Sequence, residues 1–145
     1  MLARANRIKS TQPTPTNHIT FLKANITSIP LPSDTADCII SNCVINLVPH
    51  ADKPAVFREM HRLLNPGGRV AVSDILAKKT LPEKLVSDLS MYVGCIAGAS
   101  QLSEYEAWLK GVGFTGEFPV SGLGPSNSGM RGVKTLTMGN RGDDC

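Results

Sequence analysis

The stretch Asp34–Pro49 reads Asp-Thr-Ala-Asp-Cys-Ile-Ile-Ser-Asn-Cys-Val-Ile-Asn-Leu-Val-Pro, and the rest of the chain is interpreted around it. Its apolar run Cys38–Ile40 predicts a strand that is buried on both faces, because continuous hydrophobicity is typical of a central parallel strand. Ser41, Asn42 and Cys43 follow at the carboxyl end of that strand. Ligands bind outside the carboxyl ends of strands in open α/β sheets. We therefore expect the thiol and the amide at this edge to serve chemistry rather than packing.

Composition and charge narrow the class of protein. The chain has 145 residues, of which 41% are hydrophobic and 19% charged, as in a single globular domain. The net charge of +3 comes from scattered basic residues without interleaved aromatic residues, so we expect no nucleic-acid partner. No apolar stretch approaches the roughly 20 residues of a membrane span, and no signal peptide is evident. We expect a cytoplasmic protein without a membrane partner, whose four cysteines are free thiols or soft-element ligands rather than disulfides.

A strand–helix–strand unit is predicted after Pro49. Asp52 is a suitable helix N-cap. An apolar stripe at helical spacing follows, formed by Val56, Phe57, Met60, Leu63 and Leu64. The turn Asn65–Gly68 should stop this helix, and Arg69–Asp74 resumes as a strand. A βαβ unit implies parallel pairing with a right-handed crossover, so we predict an α/β fold whose mostly parallel sheet is flanked by helices.

The remaining elements are predicted from local composition. Before the unit we expect a helix over Met1–Lys9, a loop over Ser10–Asn17 and a strand over His18–Lys23. After it we expect a helix over Leu81–Val93 with Leu85, Leu89 and Tyr92 or Val93 on one face, and a helix starting at a Ser103/Glu106 capping box with Trp108 in the core. Further strands are expected at Phe114–Val120 and Val133–Met138.

Cys43 and Cys95 are the first candidates for chemistry. Most free cysteines are small buried hydrophobes, and that interpretation stays open for both. Cys43 differs because it ends a strand, and Cys95 because Gly94–Ala99 is rich in small residues that let backbone approach a ligand. Two thiolates would suit a soft, thiophilic centre better than Mg²⁺ or Ca²⁺, and no CxxC or histidine spacing indicates structural zinc. Cys38 is expected in the core and Cys145 on the surface.

Other polar residues are open to two interpretations each. Asn42 and Asn46 either orient backbone around a ligand or make local turn and cap hydrogen bonds. Asp74 ends a strand, where a helix cap or a surface pair is favoured over a place in the ligand crevice. The three histidines are too dispersed for a triad or a metal set, so surface or packing roles are expected for His18, His50 and His61.

Three motifs together resemble the arsenite methyltransferases that use S-adenosylmethionine. They are Ser41–Leu47, then Leu64–Arg69 leading to Ser73 and Asp74, then Gly94–Ala99. The Leu-x-Pro-Gly-Gly turn is shared by most Rossmann-like methyltransferases, whereas Ser-Asn-Cys-Val-Ile-Asn-Leu with a second cysteine is far more specific. The likeness runs from about His18 to Phe118 and implies a Rossmann-like methyltransferase fold.

The resemblance also implies an activity. A methyl group would pass from S-adenosylmethionine to trivalent arsenic held by cysteine thiolates, and Cys43 and Cys95 look like two of those ligands. The implied substrates are arsenite or methylated arsenicals, and the implied partner is a thiol reductant such as thioredoxin or glutathione.

Residues for the cofactor are carried over by motif as well. Asn25 and Ile26 map to the position that lies against adenine, and Ser41 and Asn42 resemble residues that line the methionine end of the cofactor. The family's Gly-rich cofactor loop, acidic ribose contact and upstream arsenic-binding cysteine would all precede Met1. We therefore expect an incomplete fold, with residues 1–120 the C-terminal portion of a class I methyltransferase domain and 121–145 a Gly/Ser-rich tail.

Three alternatives remain open. The chain could serve a methyltransferase for an organic small molecule, with its cysteines as packing residues. It could be a non-catalytic thiol-binding fragment that coordinates arsenite without binding the cofactor. It could also be an inactive truncation product, since the Gly-rich cradle for the cofactor is not in the sequence.

Overall fold

The computed structural model describes residues 1–13, 16–93, 95–115 and 130–140, with backbone alone for residues 85, 91, 92 and 130–140. Its helices are α1 (Leu2–Thr11), α2 (Lys53–Leu63), α3 (Glu83–Val86), α4 (Leu89–Val93) and α5 (Leu102–Gly111), with short 3-10 helices at Ile45–Leu47 and His50–Asp52. Its strands are β1 (Ala36–Asn42), β2 (Leu64–Ala77), β3 (Phe114–Thr115) and β4 (Met130–Asn140). These strands form one sheet in the order β1-β2-β4-β3.

The predicted strand–helix–strand unit is confirmed. β1 and β2 pair in parallel and are connected through α2, which establishes the α/β class. The strand β2 begins directly at Leu64, and Gly67 adopts the left-handed backbone conformation within it, with φ of 79°. Regular pairing with β1 then holds from Cys38 opposite Arg69 to Asn42 opposite Ser73. Asp52 precedes α2 as predicted but makes no side-chain cap hydrogen bond.

The core lies where α2 and α5 meet the sheet. The predicted α2 stripe is buried, and it packs against strand residues and against Tyr105 and Leu109 of α5. Phe57 contacts the rings of Tyr105 at 5.3 Å and Trp108 at 5.8 Å between centroids. Trp108 is only partly buried, although it packs on the core as predicted. Burial of these large side chains is the main stabilising term for the two helices.

The strand predicted at Val133–Met138 is confirmed and extends over β4. It runs antiparallel to β2 on one side and to β3 on the other. Residues 130–140 therefore form part of the sheet. β3 covers the first two residues of the strand predicted at Phe114–Val120, and the remainder of that prediction lies outside the described residues, as does Cys145.

The prediction of a strand buried on both faces was wrong for β1. Cys38 is exposed and Ile40 is 80% exposed, whereas Ile39 on the opposite face packs against the core. Only one face of β1 is therefore covered within the described part of the chain. The strand predicted over His18–Lys23 does not form, since no described strand lies beside it to pair with its backbone. The helix predicted over Met1–Lys9 is longer than expected, since α1 continues to Thr11 in the predicted loop.

Two helix predictions need correction as well. The region Leu81–Val93 forms the short helices α3 and α4 rather than one helix, and Leu89 and Val93 from its predicted apolar face are more than 70% exposed. The side chains of Leu85 and Tyr92 lie outside the described part. The capping box of α5 is formed by Gln101 and Glu104, whose Oε2 accepts the Gln101 amide at 2.7 Å, two residues before the predicted position. Within the described residues, no helix has the length and apolar character needed to span a membrane.

Candidate functional site

The turn after β1 carries the first predicted ligand. Cys43 donates its backbone N–H to the Ser73 carbonyl of β2 at 2.8 Å, which extends the parallel pairing by one step. The chain then leaves the sheet at Cys43, whose φ of 52° lies outside the β region. The 3-10 helix Ile45–Leu47 follows, with Ile45 and Asn46 fully buried. The thiol of Cys43 is thereby placed at the carboxyl edge of the sheet, half-buried.

Cys95 comes from a distant segment to the same position. Its thiol donates a hydrogen bond to the Cys43 carbonyl, with 3.2 Å between Sγ and O. Cys95 also has a left-handed backbone, with φ of 60°. The structure thus brings together the two cysteines that lie 52 positions apart in the sequence.

Both cysteines occupy a conformation that favours glycine. A side chain in the left-handed region costs roughly 1–2 kcal/mol per residue. Among the described non-glycine residues, positive φ occurs at Asp34, Cys43 and Cys95. Strain of this kind is concentrated at functional sites, where the side chain is needed despite its cost.

The environment of Cys43 keeps its thiol protonated. Burial raises the pKa of Cys43 above its ordinary value of 9.0, and the Asp74 carboxylate and the Cys95 thiol raise it further. Both neighbours act in the same direction because a second negative charge beside them is unfavourable. At neutral pH Cys43 is therefore a thiol rather than a thiolate.

Asn46 connects the two cysteine-bearing segments. Its Nδ2 donates to the Ile75 carbonyl of β2 at 2.8 Å and to the Cys95 carbonyl at 3.1 Å. Its Oδ1 accepts the Tyr105 hydroxyl at 3.3 Å. Asn46 is fully buried. Its amide bonds β2, the segment at Cys95 and α5, which is more than the local turn or cap hydrogen bonds of the second interpretation.

A close backbone approach holds the same segments together. A Cβ atom on Gly98 would lie 1.8 Å from the Asn46 carbonyl oxygen. No side chain can be accommodated at that distance, so Gly98 is required for the segment 95–100 to lie on the 3-10 helix.

Lys53 fixes the far end of that segment. It is 1% exposed, and its Nζ donates to the Gly98 carbonyl and, at 2.8 Å, to the Ser100 hydroxyl. Burial lowers the pKa of Lys53 from 10.5 to about 8, and the charges of Asp74 and Glu104 offset part of that change. This lysine was not identified from the sequence, where it reads as a first-turn helix residue exposed to solvent.

Asp74 completes the buried cluster. It is 1% exposed and its Oδ2 accepts the Tyr105 hydroxyl at 3.2 Å, so the expected surface role was wrong. Burial raises the pKa of Asp74 from 3.8 to about 6. The Tyr105 hydroxyl, the Lys53 ammonium and nearby backbone N–H groups offset only part of this rise. Desolvation therefore outweighs attraction for both charged groups of the cluster.

Three of the four predicted cofactor residues line one cleft. Ile26, Ser41 and Asn42 border an apolar cleft of about 470 Å³ on the side of β1 that faces α2 and the segment before it. The Ser41 hydroxyl is buried and has no hydrogen-bond partner among the described residues. An unpartnered buried hydroxyl beside an apolar cleft fits a ligand with an apolar body and polar groups. Asn25 lies next to the cleft but is exposed, and its Oδ1 accepts the Thr27 amide and hydroxyl at 3.2 and 3.0 Å.

His50 and His61 contact Glu104 and Phe114 rather than the thiols. The described residues contain no group of three or more histidine, cysteine, aspartate or glutamate side chains that could hold a metal ion. His50 lies 3.3 Å from Glu104, and His61 contacts the ring of Phe114. Cys38, Cys43 and Cys95 are free thiols, as predicted. The donor set that the described part of the chain offers at the site is therefore the thiol pair.

Comparisons with known proteins agree with this architecture. A family model described as a methyltransferase domain matches residues 1–113. An arsenite methyltransferase of Halobacterium salinarum is 37% identical over 97 residues, covering 67% of this chain and 24% of that protein. One of Aquipseudomonas alcaligenes is 41% identical over 91 residues, covering 63% and 26%. An arsenic(III) S-adenosylmethionine methyltransferase from Chlamydomonas reinhardtii has a similar structure, with a TM-score of 0.66, 28% identity, and coverage of 84% of this chain and 44% of that one.

The extent of these matches bears on what can be assigned. The chain spans about a quarter of the length of the two curated relatives. Both relatives are named as arsenite methyltransferases, and the similar structure is described as an arsenic(III) methyltransferase.

Proposed function

Because the chain belongs to the methyltransferase-domain family, we propose that it takes part in methyl transfer from S-adenosylmethionine to trivalent arsenic bound by Cys43 and Cys95. The observation that carries the proposal is the contact of the Cys95 thiol with the Cys43 carbonyl at 3.2 Å. It brings the Cys95 sulfur to the backbone of Cys43, which lies in the sequence between Asn42 and Val44, two residues that border the cleft.

The thiol pair suits trivalent arsenic chemically. Arsenic is thiophilic, and soft thiolate ligands select soft centres. Each cysteine sulfur forms an As–S bond while an As–O bond of arsenous acid breaks, and the thiol proton leaves with the hydroxide as water. The raised pKa of Cys43 is compatible with this exchange because the thiol carries the proton that the leaving hydroxide requires. Arsenic keeps its lone pair, which is the nucleophile for methyl transfer.

The cleft that Ser41 and Asn42 border is assigned to the cofactor. S-adenosylmethionine supplies an electrophilic methyl group on its sulfonium sulfur. Ser41 and Asn42 would bind its methionine end through the unpartnered hydroxyl and the exposed amide. Ile26 would contact the adenine through apolar surface, with Asn25 beside it. Holding both reactants in fixed positions supplies the rate, and such positioning can contribute about 7–11 kcal/mol.

A thiol reductant completes the proposal. Formation of the As–C bond from the arsenic lone pair oxidises trivalent arsenic by two electrons. A dithiol protein such as thioredoxin, or glutathione, would return the product to the trivalent state and release it from the cysteines by thiol exchange.

The test combines binding with turnover. Arsenite is titrated into the parent chain and into Cys43→Ser, Cys95→Ser and Cys38→Ser, and adducts are identified by mass spectrometry. Cys38 is exposed on β1, away from the thiol pair, and serves as the matched control. We expect one arsenic per chain, retained in Cys38→Ser and weakened by about tenfold or more in the other two variants, because a second ligand on the same scaffold adds about that much avidity or more.

Turnover is then measured as methylated arsenic formed from arsenite, S-adenosylmethionine and glutathione. The same assay is run on a longer protein that contains this sequence, with the same three substitutions. Methylation that persists unchanged in Cys43→Ser would remove the arsenic assignment, and the absence of any arsenite adduct would favour an organic methyl acceptor instead.

A further inference from the structure

We propose that Asn46 is a positioning residue that sets Cys95 opposite Cys43, an inference that rests on the proposed function of the thiol pair. Asn46 touches neither sulfur. It acts through the backbone of Cys95, whose carbonyl accepts from Nδ2 at 3.1 Å. The same nitrogen donates to the Ile75 carbonyl of β2 at 2.8 Å. Asn46 therefore holds Cys95 at a fixed position relative to β2, the strand that also accepts the Cys43 amide.

The amide group is suited to this role. An asparagine NH₂ group carries two donors and its oxygen is an acceptor. All three functions are engaged here, since Oδ1 accepts the Tyr105 hydroxyl at 3.3 Å. Because Asn46 is fully buried, water cannot replace a lost hydrogen bond without entering the core. A side chain of the same shape that lacks the two donors would leave the Ile75 and Cys95 carbonyls unpaired.

The position of Asn46 explains why its loss should act on the thiol pair rather than on each thiol. Cys43 is held by its own amide bond to Ser73, which does not involve Asn46. The end of the cysteine segment at Gly98 is held by Lys53. At Cys95 itself, the backbone carbonyl accepts a hydrogen bond from the Asn46 side chain. Its removal should therefore free Cys95 relative to Cys43 while both segments remain attached.

The functional consequence concerns two-point binding. A centre held by two thiols gains the second bond at a high effective concentration, and this gain disappears when geometry forbids simultaneous engagement. A reagent that reacts with one thiol at a time gains nothing from the geometry. The proposal thus separates arsenite affinity from the reactivity of the individual cysteines.

The experiment compares Asn46→Asp, which keeps the shape and removes the donors, with Tyr105→Phe. The second variant removes the hydroxyl that bonds Asn46 Oδ1 and Asp74 Oδ2 but leaves both Nδ2 bonds in place. For each variant, arsenite affinity is measured from the near-ultraviolet As–S absorption, alkylation of Cys43 and Cys95 by iodoacetamide from mass spectrometry, and the unfolding midpoint by circular dichroism. Asn46→Ser keeps one donor without adding charge, and it replaces Asn46→Asp if that variant does not fold.

We expect Asn46→Asp to lower arsenite affinity by about tenfold or more, the order of the lost two-point gain, with little change in the alkylation rate of Cys43, whose amide bond to Ser73 does not involve Asn46. Tyr105→Phe should lower the unfolding midpoint and leave arsenite affinity near that of the parent. Equal losses of affinity in both variants, in proportion to their stability, would overturn the positioning role. Parent-like affinity in Asn46→Asp, alongside weak binding in Cys43→Ser, would overturn it while the proposed function stands. Binding that is unaffected by Cys43→Ser would overturn both.

Discussion

Gly98 lies against the backbone of Asn46 so closely that a Cβ atom would be 1.8 Å from the Asn46 carbonyl oxygen. This contact joins the cysteine-bearing segment 95–100 to the turn that follows β1. We expect Gly98→Ala to lower the free energy of unfolding by about 2 kcal/mol or more, since inserted atoms in a packed region force backbone shifts. Urea unfolding measures this change.

Gly111, the last residue of α5, is the control for Gly98. Nothing lies within 4 Å of the position that its Cβ would take. Gly111→Ala should leave the free energy of unfolding within about 1 kcal/mol of the parent, on the stabilising side, because alanine favours the helix. A Gly98→Ala variant as stable as Gly111→Ala would show that the segment does not lie on Asn46.

A second prediction concerns the strained backbone of the two cysteines. Cys43→Gly should be about 1 kcal/mol more stable than Cys43→Ala, because glycine adopts the left-handed conformation without the cost paid by a side chain. The same order is expected for Cys95→Gly against Cys95→Ala. All four variants should lose two-thiol arsenite binding, whichever residue replaces the cysteine.

At Cys38 we expect the opposite order of stability for the glycine and alanine variants. Cys38 lies in β1, where glycine weakens the strand by about 0.5–1 kcal/mol relative to alanine. Cys38→Gly should therefore be less stable than Cys38→Ala in the same urea titration. If glycine were also the less stable substitution at positions 43 and 95, the left-handed conformation of these residues would be refuted.

The third prediction follows from the raised pKa of Asp74. Between its ordinary value of 3.8 and its folded value of about 6, the folded state holds the Asp74 proton more firmly than the unfolded state does. Stability from this group is present below pH 3.8 and is lost as pH rises through about 6. The difference in unfolding free energy between parent and Asp74→Asn should therefore shift in favour of the variant across this range. A constant difference from pH 4 to pH 7 would contradict the burial of an ionisable carboxyl at this position.

The fourth prediction has the opposite sign and concerns Glu59. Its Oε1 accepts the Ile29 amide at 2.6 Å and Arg62 Nη2 at 2.7 Å, and Oε2 accepts Arg62 Nε at 2.9 Å. The Arg62 hydrogen bonds lower the pKa of Glu59 from 4.5 to about 2. Stability from this carboxylate is present above pH 4.5 and is lost as pH falls toward 2.

Glu59→Gln should therefore be less stable than the parent near neutral pH, and the gap should close as the solution is acidified toward pH 2. Chemical unfolding at pH 7 and pH 3 measures the gap. A gap that widened on acidification would mean that the carboxylate does not hold Ile29 and Arg62. The exchange of the Ile29 amide with deuterium should quicken in the variant, because that N–H loses its charged acceptor.

Sequence patterns predicted the strand–helix–strand unit well and its surroundings poorly, for physical reasons. The α2 stripe at Val56, Phe57 and Met60 is a local periodic signal that the fold leaves intact. The exposure of Ile40 depends on what packs on that face of β1, and the absence of a strand at 18–23 depends on a pairing partner. Neither is encoded in the local pattern, because composition describes suitability for a strand and not its neighbours.

The site divides in the same way. Cys43 and Cys95, which the structure brings into contact, were singled out because residue type and motif context both marked them. Lys53, Ser100 and Tyr105 were missed, since their burial results from packing between segments far apart in the sequence. Asn46 was considered, but its contacts with Ile75 and Cys95 could not be inferred from spacing. The Gln101/Glu104 capping box does have the expected i,i+3 spacing, although glutamine is not a preferred N-cap residue.

X-ray absorption at the arsenic edge of a stoichiometric arsenite complex decides whether one arsenic atom binds both Cys43 and Cys95. We expect two protein As–S bonds in the parent and in Cys38→Ser, and a single one in Cys43→Ser and in Cys95→Ser. An arsenic atom coordinated by oxygen alone in the parent, or unchanged sulfur coordination in Cys43→Ser, would contradict this expectation.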